Sequence, residues 1–245
     1  MRLKDKVAFI TGGARGLGRA TALAFAKEGA VVAVCDLASD DSGLADEMGG
    51  AAGHYVYFPC GVTKSAQVLE VVNAVAEKFG RIDILVNNAG VTQDATLAKM
   101  TEDQWNTVIG VNLTGVFLCA KAVIPGMIAR KSGKIINLSS IVGLYGNFGQ
   151  TNYAATKSGV IGMTKTWARE LGPKGINTNA IAPGFIGTEM VSKMPQDVVE
   201  NMKQRTPLRR IGAPQDVANA CVFLASSEAD FINGAVLSVD GGLVL

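Results

Sequence analysis

A chain of 245 residues, 48% apolar and 18% charged, is long enough to bury a sizeable core and is neither disordered nor fibrous. Its formal charge of +2, scattered along the sequence, argues against a nucleic-acid binder. A single histidine, His54, and four widely spaced cysteines, Cys35, Cys60, Cys119 and Cys221, argue against a serine–histidine hydrolase and against most zinc sites.

The thiols are expected to be buried and free, as suits a reducing, cytoplasmic setting. His54 adjoins the apolar run 55–58 and is expected to be structural. The charged start, residues 1–6, carries no signal-peptide pattern. No apolar run approaches the ~20 residues of a membrane span.

Apolar runs then alternate with longer amphipathic segments. Strands are predicted at 6–11, 31–36, 54–58, 82–87, 134–138, 177–182 and 235–239. Helices are predicted at 16–28, 40–48, 64–79, 101–130, 152–171 and 214–225. Thr101 and Gln104 have capping-box spacing, and Pro125 is expected to bend the helix that follows. Seven strands separated by helix-length segments predict one α/β domain, 1–245, with a parallel sheet covered by helices on both faces. Only residues 187–212 break the rhythm. With Met190, Met194 and Met202, that stretch is expected to be a lid over an apolar pocket.

In such sheets ligands bind beyond the carboxyl ends of the strands. The unusual residues cluster there: the glycine turn 12–18, Asp36, the stretch 87–90, Ser139 with Ser140, and Pro183 with Gly184. Gly12, Gly16 and Gly18 allow a tight turn whose backbone approaches a diphosphate, at the start of a helix. Eighteen residues after Gly18 stands Asp36, placed to accept hydrogen bonds from a ribose and to repel a 2′-phosphate. NAD is therefore expected rather than NADP, with Arg15 able to soften the preference.

Tyr153 and Lys157 stand at i, i+4, one above the other on a helix face. A phenol titrates near 10, and a neighbouring ammonium is expected to draw that value down toward a usable general acid. Ser140 is placed to polarise a substrate carbonyl. Asn112, a poor helix former in mid-helix, is expected to anchor a water relaying protons to Lys157.

Together, the TGxxxGxG turn, Asn87-Asn88-Ala89-Gly90, Asn112, Ser140, the YxxxK pair and Pro183-Gly184 resemble the short-chain dehydrogenase/reductase family over essentially the whole chain. The resemblance implies a doubly wound Rossmann fold with strand order 3-2-1-4-5-6-7 and a bound nicotinamide cofactor. It implies that Gly12, Arg15, Gly16, Leu17, Gly18, Asp36, Leu37, Val62, Asn88, Ala89, Gly90, Tyr153, Lys157, Pro183, Gly184, Ile186 and Thr188 line the cofactor, with Asn88-Ala89-Gly90 by the adenosine ribose. It also makes Ser140, not Ser139, the catalytic serine. Gly61 departs from the acidic or amide residue that many members carry before Val62.

The segments 112–117, 146–162 and 181–190 are similar to the branch that reduces 3-oxoacyl groups held on acyl carrier protein. That branch docks its acidic carrier through two basic residues, matched here by Lys131 and Lys174. Asp36 runs against the NADPH preference usual in the branch. An NAD-linked dehydrogenase of hydroxyacyl thioesters, polyols or other secondary alcohols therefore stays open, and a nucleotide-sensing binding protein is the remote alternative. Ala155, Gly159 and Gly162 on the Tyr153 helix, and the apolar end 243–245, suit subunit contacts, and the family is typically a homotetramer.

Overall fold

The computed structural model describes residues 1–38, 43–48, 54–188 and 196–244. Their elements run β1 (Val7–Thr11), α1 (Gly16–Lys27), β2 (Val31–Asp36), α2 (Leu44–Glu47), β3 (Tyr55–Pro59), α3 (Ser65–Phe79) and β4 (Ile84–Asn87). Then come α4 (Glu102–Ile109), a π-helical turn (Gly110–Thr114), α5 (Gly115–Arg130), β5 (Gly133–Leu138), α6 (Val142–Tyr145) and α7 (Thr151–Leu171). The last elements are β6 (Ile176–Pro183), α8 (Gln196–Arg205), α9 (Pro214–Ala225) and β7 (Val236–Val239).

All seven strands are parallel, in the order β3-β2-β1-β4-β5-β6-β7. Successive side chains of a strand point to opposite faces, and here both faces are apolar. Ala8 and Ile10 of β1 join Val32, Val34, Val86 and Ile136 under α1 and α9, through Phe25, Val217 and Cys221. Val7 and Phe9 join Ala33, Leu85 and Ile135 on the other face, under Val71 and Val75 of α3 and Cys119 and Met127 of α5. Two apolar layers therefore fix the sheet, and the loops that follow β1, β2, β4, β5 and β6 meet at its carboxyl edge.

Several local expectations meet their physical limits here. The helical stretch 102–130 is continuous, and α5 runs on through Pro125. Regular α geometry gives way instead at the π turn around Asn112. That stretch is also long and apolar enough, by length and composition alone, to cross a membrane, contrary to the reading of its sequence. The fold packs it against sheet and α3, with Trp105, Phe117 and Ile128 left partly exposed.

His54 is exposed, its carbonyl accepting from Val32 N, so its side chain holds no core position. Leu243 is buried within its own chain while Val244 is exposed; Leu245 lies outside the described residues. Of the predicted helix 40–48 the described part is helical over Leu44–Glu47, and residues 40–42 lie outside. Met190 and Met194 also lie outside the described residues, and Met202 is on α8.

The capping box is formed as the spacing implies. Thr101 Oγ1 accepts from Gln104 N at 3.2 Å, and Gln104 Oε1 accepts from Thr101 N at 2.9 Å. Thr101→Ala should cost about 1 kcal/mol of stability. Urea unfolding checks this through a lower midpoint at unchanged slope.

Candidate active site

The end of β5 and the first turns of α7 form one unit. Lys157 is buried, and its Nζ donates to the carbonyl of Leu138 at 2.6 Å. One residue on, Ser139 Oγ donates to the carbonyl of Lys157 at 2.9 Å. The Ser139 hydroxyl is thereby committed to structure. Ser140 Oγ accepts from Val142 N at 3.1 Å, which leaves its own proton to donate, and its hydroxyl draws the pKa of the Tyr153 phenol downward.

Lys157 Nζ lies 5.5 Å from the centre of the Tyr153 ring. Tyr153, Ser140 and Lys157 are therefore brought together where β5 ends and α7 begins. Their titration differs from the expectation. Burial pushes the Tyr153 phenol up to about 12, against the downward pull of the Ser140 hydrogen bond, with the Asp94 carboxylate adding to the rise. Burial also pushes Lys157 down to about 8. The ammonium is directed at the Leu138 carbonyl, and desolvation dominates, so at neutral pH the phenol keeps its proton.

Asn112 is fully buried in the π turn. Its Oδ1 accepts from Val91 N at 2.8 Å and its Nδ2 donates to Val91 O at 2.9 Å. A methyl group built on Gly90 would stand 3.5 Å from Asn112 Oδ1 and 3.8 Å from Lys157 Nζ. Asn112 thus fixes the β4 loop directly beside the ammonium. Wide π turns recur at such sites because the helix must present a side chain out of α register.

Facing this group is the glycine turn. Gly12 has φ +64°, and a methyl group on Gly18 would collide with the carbonyl oxygen of Gly12. Asn88 Nδ2 closes the turn by donating to Thr11 O at 3.0 Å and Gly12 O at 2.8 Å. Its amide therefore shapes the turn. Asp36 Oδ2 accepts from Ala14 N at 3.1 Å and Oδ1 from Leu37 N at 2.7 Å, which aims the carboxylate across the turn from the end of β2. Arg15 and Leu37 are exposed, Leu17 and Ala89 half-buried, and Val62 buried. On the far side Pro183 ends β6, Ile186 is buried, and Thr188 reaches to 3.9 Å from a methyl group built on Gly16.

Residues 12–244 match the family described as enoyl-(acyl carrier protein) reductase. The chain is 51% identical, over the whole of both chains, to a Thermotoga maritima protein named 3-oxoacyl-[acyl-carrier-protein] reductase FabG. Proteins of the same name from Staphylococcus epidermidis and Vibrio harveyi are 45% and 42% identical, covering 98% and 100% of this chain and all of theirs. The chain belongs to the short-chain dehydrogenase/reductase family.

This short-chain dehydrogenase/reductase is accordingly an oxidoreductase that interconverts a ketone and a secondary alcohol with a nicotinamide cofactor. The residues present fit that cofactor. No side chain caps the start of α1 and no acidic residue stands in its first turn, so the N–H groups there remain available to a diphosphate.

Two supporting residues escaped the sequence reading. Asn152 Oδ1 accepts from Tyr153 N at 2.7 Å, and its Nδ2 donates to Gln93 O and Gln104 O at 3.0 and 3.2 Å, tying α7 to the β4 loop and α4. An asparagine directly before the tyrosine, at a helix start, is the signal that marks it. Thr11 Oγ1 accepts from the backbones of Asn88 and Ala89, both at 3.1 Å, and its sequence position inside a strand gives no hint of this.

Lys131 and Lys174 are exposed and stand just before the first residues of β5 and β6, beside each other through Gly175 and the Lys131 carbonyl. They therefore lie at the amino edge of the sheet, a strand's length from Tyr153. On α7, Ala155 is exposed, Gly162 opens on free space, and Gly159 is closed by the Leu113 side chain rather than by a second backbone.

Proposed function

We propose that this enzyme reduces 3-oxoacyl thioesters carried on acyl carrier protein, with NADH as reductant. The observation that carries the reading is the grouping of Tyr153, Ser140 and Lys157 where β5 ends and α7 begins, with the Lys157 ammonium 5.5 Å from the centre of the tyrosine ring. Reduction of a ketone needs a loaded acid at the carbonyl oxygen, and this group offers one. The names of the similar proteins supply the substrate class.

When bound, the reduced nicotinamide supplies the hydride. Ser140 donates to the substrate carbonyl oxygen and holds it against Tyr153. Tyr153 then gives its proton to that oxygen as negative charge develops there. The Lys157 ammonium lies within reach of the tyrosine ring, and its field stabilises the phenolate left behind. Asn112, through the lone pair of Oδ1 that Val91 does not use, anchors the relay that returns a proton to this pair. Asp36 selects NADH by excluding a 2′-phosphate.

Lys131 and Lys174 receive the acidic carrier. Because they lie at the opposite edge from Tyr153, a carrier held there serves the site of a neighbouring protomer, which fits a homotetramer. Ala155, Gly162 and the exposed Trp105, Phe117 and Ile128 support that assembly, and light scattering in solution tests it. The lid expected over residues 187–212 includes residues 189–195, which lie outside the described residues. Asp36 favours one further reading, an NAD-linked dehydrogenase acting on hydroxyacyl thioesters, polyols or other secondary alcohols.

A panel of acetoacetyl thioesters, small ketones and polyols with both nicotinamides separates the two. Efficient thioester reduction with NADH is expected, and turnover confined to polyols would overturn the reading. The pH profile adds an independent check. Lys157 titrates below its free value, so its positive charge is present at pH 7 and lost as pH rises through about 8. Reduction should decline on the alkaline side with a midpoint near 8, and a flat profile to pH 10 would remove the ammonium from the mechanism.

A further inference from the structure

Four large apolar side chains stand uncovered on the loop between Ser140 and Tyr153 and on the β4 loop clamped to it. The loop from Ser140 to Tyr153 carries Leu144, Tyr145 and Phe148, which are 39%, 49% and 87% exposed, and Leu97 on the β4 loop is 76% exposed. The two loops are joined side by side: Ala95 N donates to Gly149 O at 2.8 Å, and Ala95 pairs with Gln150 as a parallel bridge. Gln150 Nε2 donates to Asp94 Oδ2 and Asn147 Nδ2 to Gln150 Oε1, both at 2.9 Å. Ser158 Oγ of α7 donates to Gly143 O at 2.7 Å and holds α6 in place. The apolar groups are thus held up to solvent by a clamped scaffold, whereas a frayed loop would let them turn inward.

We propose that Phe148, with Tyr145, Leu144 and Leu97, forms the platform for the acyl chain beyond the reacting carbonyl, and sets a preference for medium and long chains over four-carbon substrates. The inference rests on the 3-oxoacyl reading. The strip is continuous with the site, because its loop starts at the hydroxyl that would hold the carbonyl and ends at the one that would protonate it. An acidic carrier protein is the wrong occupant: the charged group in the clamp is Asp94, which would repel it. A hydrocarbon chain meets no such penalty and removes both surfaces from water.

The test compares kcat/KM for 3-oxobutanoyl and 3-oxodecanoyl N-acetylcysteamine thioesters in wild type, Phe148→Ser and Phe148→Leu. Wild type should favour the ten-carbon substrate by ~10-fold or more, the discrimination that one or two well-buried methylenes supply. Phe148→Ser should lower the ten-carbon value by about that factor while the four-carbon value stays within about 2-fold. Phe148→Leu should restore the preference. Absence of chain-length preference in wild type, or equal losses on both substrates, overturns the platform. A change of mass in light scattering of Phe148→Ser also overturns it, by assigning the strip to a second copy of the chain. Should wild type turn over the matching ethyl 3-oxoesters but neither thioester, the thioester reading fails, and the same ratio on the esters then decides the platform by itself.

Discussion

Tyr153→Phe is expected to lower kcat by at least ~10²-fold with little change in nicotinamide affinity, the scale of a lost general acid. The substitution deletes one oxygen from a side chain that burial already holds in place, so the pocket keeps its shape. Ser140 would still polarise the carbonyl, and Lys157 would still donate to Leu138. What disappears is the proton that must reach the substrate oxygen. Burial pushes the phenol up to about 12, and the Lys157 ammonium, 5.5 Å from its ring, is the group placed to stabilise the phenolate once the proton has gone. Stopped-flow single turnover with a saturating thioester separates this loss from binding. Turnover close to wild type in that variant would take Tyr153 out of the chemistry.

Asp36→Asn is expected to lower the ratio of kcat/KM with NADH to that with NADPH by ~10–10²-fold, the difference a charged hydrogen-bond partner makes. Asparagine can keep the acceptor that Ala14 N uses at 3.1 Å, so the brace on the glycine turn survives while the charge and the bond from Leu37 N are removed. Asp36→Ala should give a similar ratio with weaker binding of both cofactors, because the turn then loses its brace as well. Fluorescence titration with each nicotinamide checks the binding side of the claim. A wild-type preference for NADPH would contradict the role given to Asp36.

The layered sheet was legible because uninterrupted apolar strands and amphipathic helices alternate, and because clusters of glycine, asparagine, serine and proline stand where strands end. Those signals are local, and so are the turn at Gly12–Gly18 and the cap at Thr101. What sequence could not reveal depends on neighbours far along the chain. The phenol of Tyr153 was expected to move down under an adjacent ammonium. Burial moves it up instead, and the ammonium is directed to Leu138, nineteen residues earlier. Asn112 was visible as a misfit in a helix, yet its hold on Val91 is a contact across twenty-one positions. Pro125 failed to mark the irregular turn, since the helix runs on through the proline and widens where the buried Asn112 amide must reach Val91. Leu243 looked like a sticky end only because nothing local records that its own chain covers it.

The double grip on Lys157 has a mechanical consequence. Its ammonium is tethered to Leu138 and its backbone carbonyl to Ser139, so strand end and helix are buttoned together at two successive residues. Neither the base of the helix nor the serine-bearing tip of the strand can drift without the other. Alignment of the proton donor is thereby inherited from the tightly packed interior, and motions of the surrounding loops can admit or release a substrate without detuning it.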